Sequence, residues 1–387
     1  ALGLGRLDIY GLAGVVLAHV FFNLPLAARM LLLGWQAIPA ERFRLAEALG
    51  VSVWTVLERP MLRSLVPGAV LVIFLICLSS FAVALILGGG PRATTVELAI
   101  YQALRFEFDL GRAALLALVQ FGLCAGAAAL AFAVAVPDAM GAGLDRPVAR
   151  WGGRRWVDAL WIGGVALFLL APLAAVLVRG IGGLADLPVS IWPAVLRSLA
   201  VAVASAALAM GLALALVLRQ GPVVRLAGVL PLAASPLVVG TGLFILLRPW
   251  VPPGAVALPV TALVNALLAV PFAVRVLAPA VAQAEAQQGR LADALGLVGW
   301  ARLRLVLLPR LRRPLGFAAG LAAALSMGDL GVIALFAGGD QTTLPLEMYR
   351  LMGAYRSQAA EGAALLLVGL TFGLFWLCDR GGGRAEM

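Results

Sequence analysis

The sequence contains no lysine, a single histidine and three cysteines, and only 12% of its 387 residues are charged. Soluble domains carry about 25% charged residues, so this chain has too few to clothe a water-exposed surface. It has no G-x-x-x-x-G-K-[ST] phosphate-binding loop, which leaves ATP hydrolysis to another subunit if ATP is used at all. With His19 alone, no paired catalytic carboxylates and no nucleophile-elbow serine, there is little from which to build an active site, and the expectation is not an enzyme. Cys77, Cys124 and Cys378 all fall inside apolar stretches without metal-ligand spacing. They read as packing residues rather than disulfides or zinc ligands, and neither metal nor cofactor is expected. All 29 basic residues are arginine and the formal charge is +10. These arginines punctuate long apolar runs, so they read as topology signals and not as a nucleic-acid surface.

What is abundant is apolar: 63% of the residues are hydrophobic, with a mean hydropathy of +1.03. Stretches of about 20 apolar residues cross a bilayer as helices, and they occur near 9–32, 64–87, 112–136, 157–178, 195–218, 223–247, 254–278, 315–337 and 360–378. The expectation is an all-α polytopic membrane protein with nine transmembrane helices. Assigning alternate connections to opposite sides places 20 arginines in 29–63, 137–156, 219–225, 275–313 and 379–387, and 9 on the other side. The arginine-rich side is then cytoplasmic, with Met387 inside. The chain begins at Ala1 without a methionine and without a charged leader, which reads as a trimmed start or a fragment.

One pattern occurs twice. Leu45-Ala46-Glu47-Ala48-Leu49-Gly50, followed by Trp54, recurs 246 residues later as Leu291-Ala292-Asp293-Ala294-Leu295-Gly296, followed by Trp300. At the same offset His19 meets Asn265, Pro25 meets Pro271 and Arg29 meets Arg275. After a three-residue slip Pro60, Leu62 and Arg63 meet Pro309, Leu311 and Arg312, and further on, at an offset of 248, Thr94, Thr95, Leu98 and Tyr101 meet Thr342, Thr343, Leu346 and Tyr349. Both copies run the same way through the membrane, as parallel repeats do. The division expected is a first repeat of three helices over 1–136, a cytoplasmic linker over 137–156 and a second repeat of six helices over 157–387. The unequal counts suggest that three helices precede Ala1. The repeated loop itself reads as a short helix, a turn that glycine permits, and an amphipathic piece leading back to the membrane. Ala48 and Ala294 let it sit closely in a partner's groove, and Glu47 and Asp293 place a charge at the rim.

These loops resemble the E-A-A, three residues, G, hydrophobic-Pro cytoplasmic loop of binding-protein-dependent ABC importer permeases. The second copy follows it through Leu308-Pro309 with Asp293 for Glu, and the first copy is three residues short between Trp54 and Pro60. Ala18 to Ala27, Leu87 to Leu104 and Gly328 to Phe336 are similar to the thiamine permeases within that group. The resemblance implies a MetI-like type I architecture in the bacterial inner membrane and import of thiamine or its phosphate esters. It also implies a periplasmic thiamine-binding protein outside, and two copies of an ATPase docking on Glu47, Ala48, Gly50, Asp293, Ala294 and Gly296. A two-unit ferric iron permease and an ion-coupled secondary transporter are the alternatives. The segment from Gly88 to Leu104 argues against the first, and the scarcity of membrane carboxylates against the second.

Four polar residues fall inside apolar runs. His19 and Asn23 share a helix face, and Asn265 is the repeat equivalent of His19. They read either as interhelical hydrogen-bonding groups or as lining of a translocation path. Asp329 lies about 12 Å from the outer end of its helix between Gly328 and Gly331. It either satisfies backbone freed by those glycines or faces a cationic thiazolium. Gly88-Gly89-Gly90-Pro91 reads as a helix stop on the outer face, and Thr94 to Leu104 as a short amphipathic helix beyond it.

Overall fold

The computed structural model describes residues 10–88, 93–133, 155–219, 234–339 and 341–383. The glycines at 89 and 90, Pro91, nearly all of the 137–156 linker and the first half of the 223–247 span lie outside them. The described residues form helices and connecting turns only. Eight helical spans are long and apolar enough to cross a membrane, against the nine expected. In the 223–247 region the described part is a twelve-residue helix, Pro236–Leu247, which is shorter than a bilayer crossing.

The chain divides into two compact units, Ala1–Leu98 with Gly122–Ala175, and Ala99–Phe121 with Val176–Met387. The first contains α1 (Leu12–Gln36), α2 (Ala40–Ala48), α3 (Arg59–Leu78) and α4 (Phe81–Leu87), with parts of α6 (Leu110–Ala133) and α7 (Arg155–Gly183). Gly34 lets α1 approach α3, because a Cβ there would meet Leu65 Cδ1 at 2.2 Å. Met30 and Ala69 form a small core between these helices, with Leu26, Leu33 and Val72 around it. Phe168 of α7 stands edge-on to Phe21 at 5.8 Å. No residue in the most apolar window of α7 is buried by protein, as expected of a helix facing lipid.

The second unit is built on α8 (Ile191–Leu218), α10 (Ala257–Ala294), α12 (Leu308–Met327) and α15 (Ser357–Gly383), and α9 is the short Pro236–Leu247 helix. Its core is mainly alanine: Ala202, Ala206, Ala209, Ala266, Ala269, Ala322 and Ala323 pack with Met327. Small side chains bring helix backbones close, and in lipid this close packing replaces a hydrophobic driving force. The same device joins α12 to α15, where a Cβ on Gly316 would lie 2.5 Å from the Cys378 carbonyl oxygen. The last turns of α7 meet α15 through Gly183 and Gly362; a Cβ on Gly362 would lie 2.4 Å from the Gly183 carbonyl oxygen.

The repeat is visible in the element boundaries. Helix α3 and α12 are related by 249 residues at both ends, and α5 (Val96–Arg105) and α14 (Leu344–Gly353) by 248 at both ends. Single π-helical turns at Trp54–Glu58 and Leu303–Leu307 are also 249 apart. Two long spans differ from their expected form. The 64–87 span begins ten residues early, at Trp54, because the π turn runs without a break into α3. It is then interrupted at Ser79 and Ser80. The 315–337 span is interrupted at the equivalent place, Gly328 to Leu330, before α13 (Gly331–Phe336).

Candidate coupling loops and membrane polar groups

Each repeated loop ends its helix in the same way. In the first, the Gly50 N–H donates to the Glu47 carbonyl at 3.1 Å and the Val51 N–H to the Ala46 carbonyl at 3.0 Å. In the second, Gly296 N–H donates to Asp293 at 3.0 Å and Leu297 N–H to Ala292 at 2.9 Å. This pair of bonds is a Schellman motif, whose turning residue must be left-handed. Gly50 sits at φ 64° and Gly296 at φ 65° accordingly. Ala46 and Ala292 point inward and are buried, while Glu47, Ala48, Gly50, Asp293, Ala294 and Gly296 are all exposed. Leu45 and Leu49 in one loop, and Leu291 and Leu295 in the other, are each about 60% exposed or more (59, 66, 61 and 65%). Leucines that the rest of the chain leaves uncovered form an apolar helix face open to a partner.

The two loops differ in what leads to and from them. Helix α10 runs unbroken for 38 residues, about 57 Å at 1.5 Å per residue, so it crosses the membrane and continues as the loop helix. The second copy thus lacks the separate short helix that its sequence suggested. In the first copy Pro39, as the N-cap of α2, separates α1 from α2, since proline disfavours helical geometry in the residue before it. The three-residue slip is accounted for by α11, the single turn Gly299–Arg302, of which only the last residue has a counterpart in the first copy, Val53. With the helices in register, Trp54 falls opposite Leu303 rather than Trp300.

In the first unit, the Asn23 side chain donates to the His19 carbonyl at 2.9 Å and to Cys77 Sγ at 3.5 Å, so it meets the backbone of His19 and not its ring. In the second, Asn265 donates to Ser326 Oγ at 3.0 Å, and Ser326 shares a 2.9 Å hydrogen bond with Ser205. Asp329 Oδ1 accepts from the Gly331 N–H at 3.2 Å. The Asn265 side chain and the Val332 N–H lie beside the carboxylate, and its Oδ2 is enclosed without a geometric hydrogen-bond partner. Asn265 and Asp329 therefore belong to one buried polar cluster, completed by Ser205 and Ser326. Those serines are not conspicuous in the sequence, although Ser326 is the 249-residue equivalent of Cys77, the other asparagine's acceptor. Among the described residues, no group of three or more His, Cys, Asp and Glu could hold a metal ion.

An all-helical polytopic chain with a duplicated, exposed loop of this form defines the class as a membrane permease. Its relatives give the family. The chain is 41% identical over 402 residues to a thiamine transport system permease protein, ThiP, of Salmonella typhimurium, covering 97% of this chain and 74% of that one. It is 40% identical to the Escherichia coli K12 protein of that name, over 97% and 74% of the two chains, and 39% identical to that of Brucella abortus strain 2308, over 96% and 72%. The chain belongs to the family of thiamine transport system permease proteins. No protein-family model matches it.

Proposed function

We propose that this chain is the membrane-spanning permease subunit of an ABC importer that carries thiamine and its phosphate esters across the bacterial inner membrane. The observation that carries the coupling is the pair of exposed loops with the same glycine turn and the same outward leucines, 246 residues apart. Each offers a docking face to one of two copies of a cytoplasmic ATPase, with Glu47, Ala48 and Gly50 in one and Asp293, Ala294 and Gly296 in the other. The ATPase hydrolyses ATP, and its movement is passed through the loops to the helices. The arginine-rich connections support a cytoplasmic position for both loops and for the C-terminus. A thiamine-binding protein delivers substrate on the outer side. The repeats comprise residues 1–136 and 157–387, joined by the 137–156 linker in a MetI-like arrangement.

His19, Asn23, Asn265 and Asp329 are the proposed path residues. Asp329 has the strongest claim, because it stands in the break between two membrane helices with one carboxylate oxygen enclosed, which is expensive at membrane depth unless a cation meets it. The test is uptake of radiolabelled thiamine by cells that lack their own thiamine permease and are given the complete transporter. Restored uptake, competed by thiamine phosphate and not by ferric iron, is expected. Iron import without thiamine import would overturn the assignment.

A further inference from the structure

The second loop is tied down in a way that the first is not. Arg302 Nε donates to Glu285 Oε1 at 3.1 Å, its Nη2 donates to Oε2 of the same carboxylate, and its Nη1 donates to Asp293 Oδ1 at 2.6 Å. One guanidinium thus grips α10 at two points eight residues apart and fastens them to the turn beyond Gly296. Gly289 leaves the room: a Cβ there would lie 3.0 Å from Glu285 Oε2 and 3.3 Å from Arg302 Nη2. At the repeat offset, Pro39 stands in the place of Glu285 and Phe43 in the place of Gly289, and beyond the slip Val53 stands in the place of Arg302. The first loop has instead an edge-on contact of Trp35 with Phe43 at 5.9 Å.

We propose that Arg302 is a positioning residue for coupling, which holds the second loop in its docking geometry before the ATPase arrives and makes it the stiffer of the two. This rests on the reading of the loops as ATPase docking sites. The guanidinium is a planar fork that reaches two carboxylates at once, a geometry that a lysine ammonium does not reproduce. Arg302 and Glu285 are partly shielded, with side-chain exposures of 24% and 32%, so the pair is less screened than a surface bridge. A loop fixed in advance loses less freedom on binding, and it transmits displacement instead of absorbing it.

The test places Arg302→Gln and Arg302→Lys beside Gly296→Val in the complete transporter. Docking is read as copper-phenanthroline-driven disulfide trapping between a cysteine introduced on the docking face of the ATPase and Ala294→Cys in the second loop or, separately, Ala48→Cys in the first. Coupling is read as ATP hydrolysed per thiamine imported. The Gln variant is expected to lower trapping at position 294 roughly three- to tenfold, to leave trapping at 48 unchanged, and to raise the ATP consumed per thiamine. The Lys variant keeps the charge and a folded chain but lacks the fork, and is expected to behave like Gln. Wild-type docking and stoichiometry in the Lys variant, with Gly296→Val still impaired, would overturn the proposal while leaving the loop reading intact. Normal docking of Gly296→Val would bring down the loop reading and this proposal with it.

Discussion

Replacing Gly296 by valine isolates the backbone's part in docking. Nothing lies within 4 Å of where a Cβ on Gly296 would sit, so the substitution meets no steric obstacle. The cost comes from φ 65°, a left-handed conformation that costs an L-residue with a Cβ about 1–2 kcal/mol. If the loop relaxes to avoid that cost, the docking-competent turn falls roughly 5- to 30-fold in population, and ATPase affinity falls with it. Asparagine has a Cβ too but tolerates the left-handed region, so Gly296→Asn should keep most of the affinity. Titration of the purified ATPase onto the permease in lipid nanodiscs measures both variants, with thermal stability as the control for folding. Val binding as tightly as wild type would refute the reasoning. Asn failing as badly as Val would also refute it, since the fault would then lie with the Cβ and not the backbone.

Three further outcomes follow. Asp329→Asn keeps an acceptor for the Gly331 N–H and should leave thermal stability near wild type while cutting thiamine transport about tenfold or more. Asp329→Leu strands that N–H and should cost about 1–3 kcal/mol of stability; unaltered transport by the Asn variant would retire the counter-charge role. Gly362→Val drives a Cβ into the Gly183 carbonyl oxygen and should destabilise the α7–α15 contact by about 1–3 kcal/mol, read as a lower unfolding temperature in detergent. Tyr355 holds φ 59° and is 95% exposed, so Tyr355→Gly should stabilise the protein by about 0.5–1 kcal/mol, the left-handed cost outweighing glycine's chain entropy; a drop in unfolding temperature would show that the ring packs against something.

The loop turns were legible because a left-handed Schellman position strongly selects glycine, and two glycines 246 residues apart advertise it. The membrane spans were legible as apolar runs, but their ends were not. A π turn merges with α3 and adds ten residues to that span, and the Ser79–Ser80 and Gly328–Leu330 breaks fall within apolar sequence. The continuity of α10 into its loop was hidden because only the absence of a proline equivalent to Pro39 signals it. Left-handed turns at Phe108 and Tyr355, 247 apart, carry no sequence signal because neither residue is glycine. Arg302 is one arginine among seven in its connection. What distinguishes it is a carboxylate seventeen residues earlier, brought near only by the fold. The serines of the Asn265 cluster were concealed in the same way, since Ser205 sits between alanines and Ser326 between Leu325 and Met327, and each gains its role from a neighbour on another helix.

The measurement that bears most directly on the whole account is uptake of radiolabelled thiamine into proteoliposomes holding the complete transporter, with the binding protein outside and ATP inside. Uptake should require ATP, stop when the partner ATPase carries a hydrolysis-dead substitution, and continue when a protonophore collapses the proton gradient. Uptake that survives the dead ATPase and stops with the protonophore would contradict the account and identify an ion-coupled carrier.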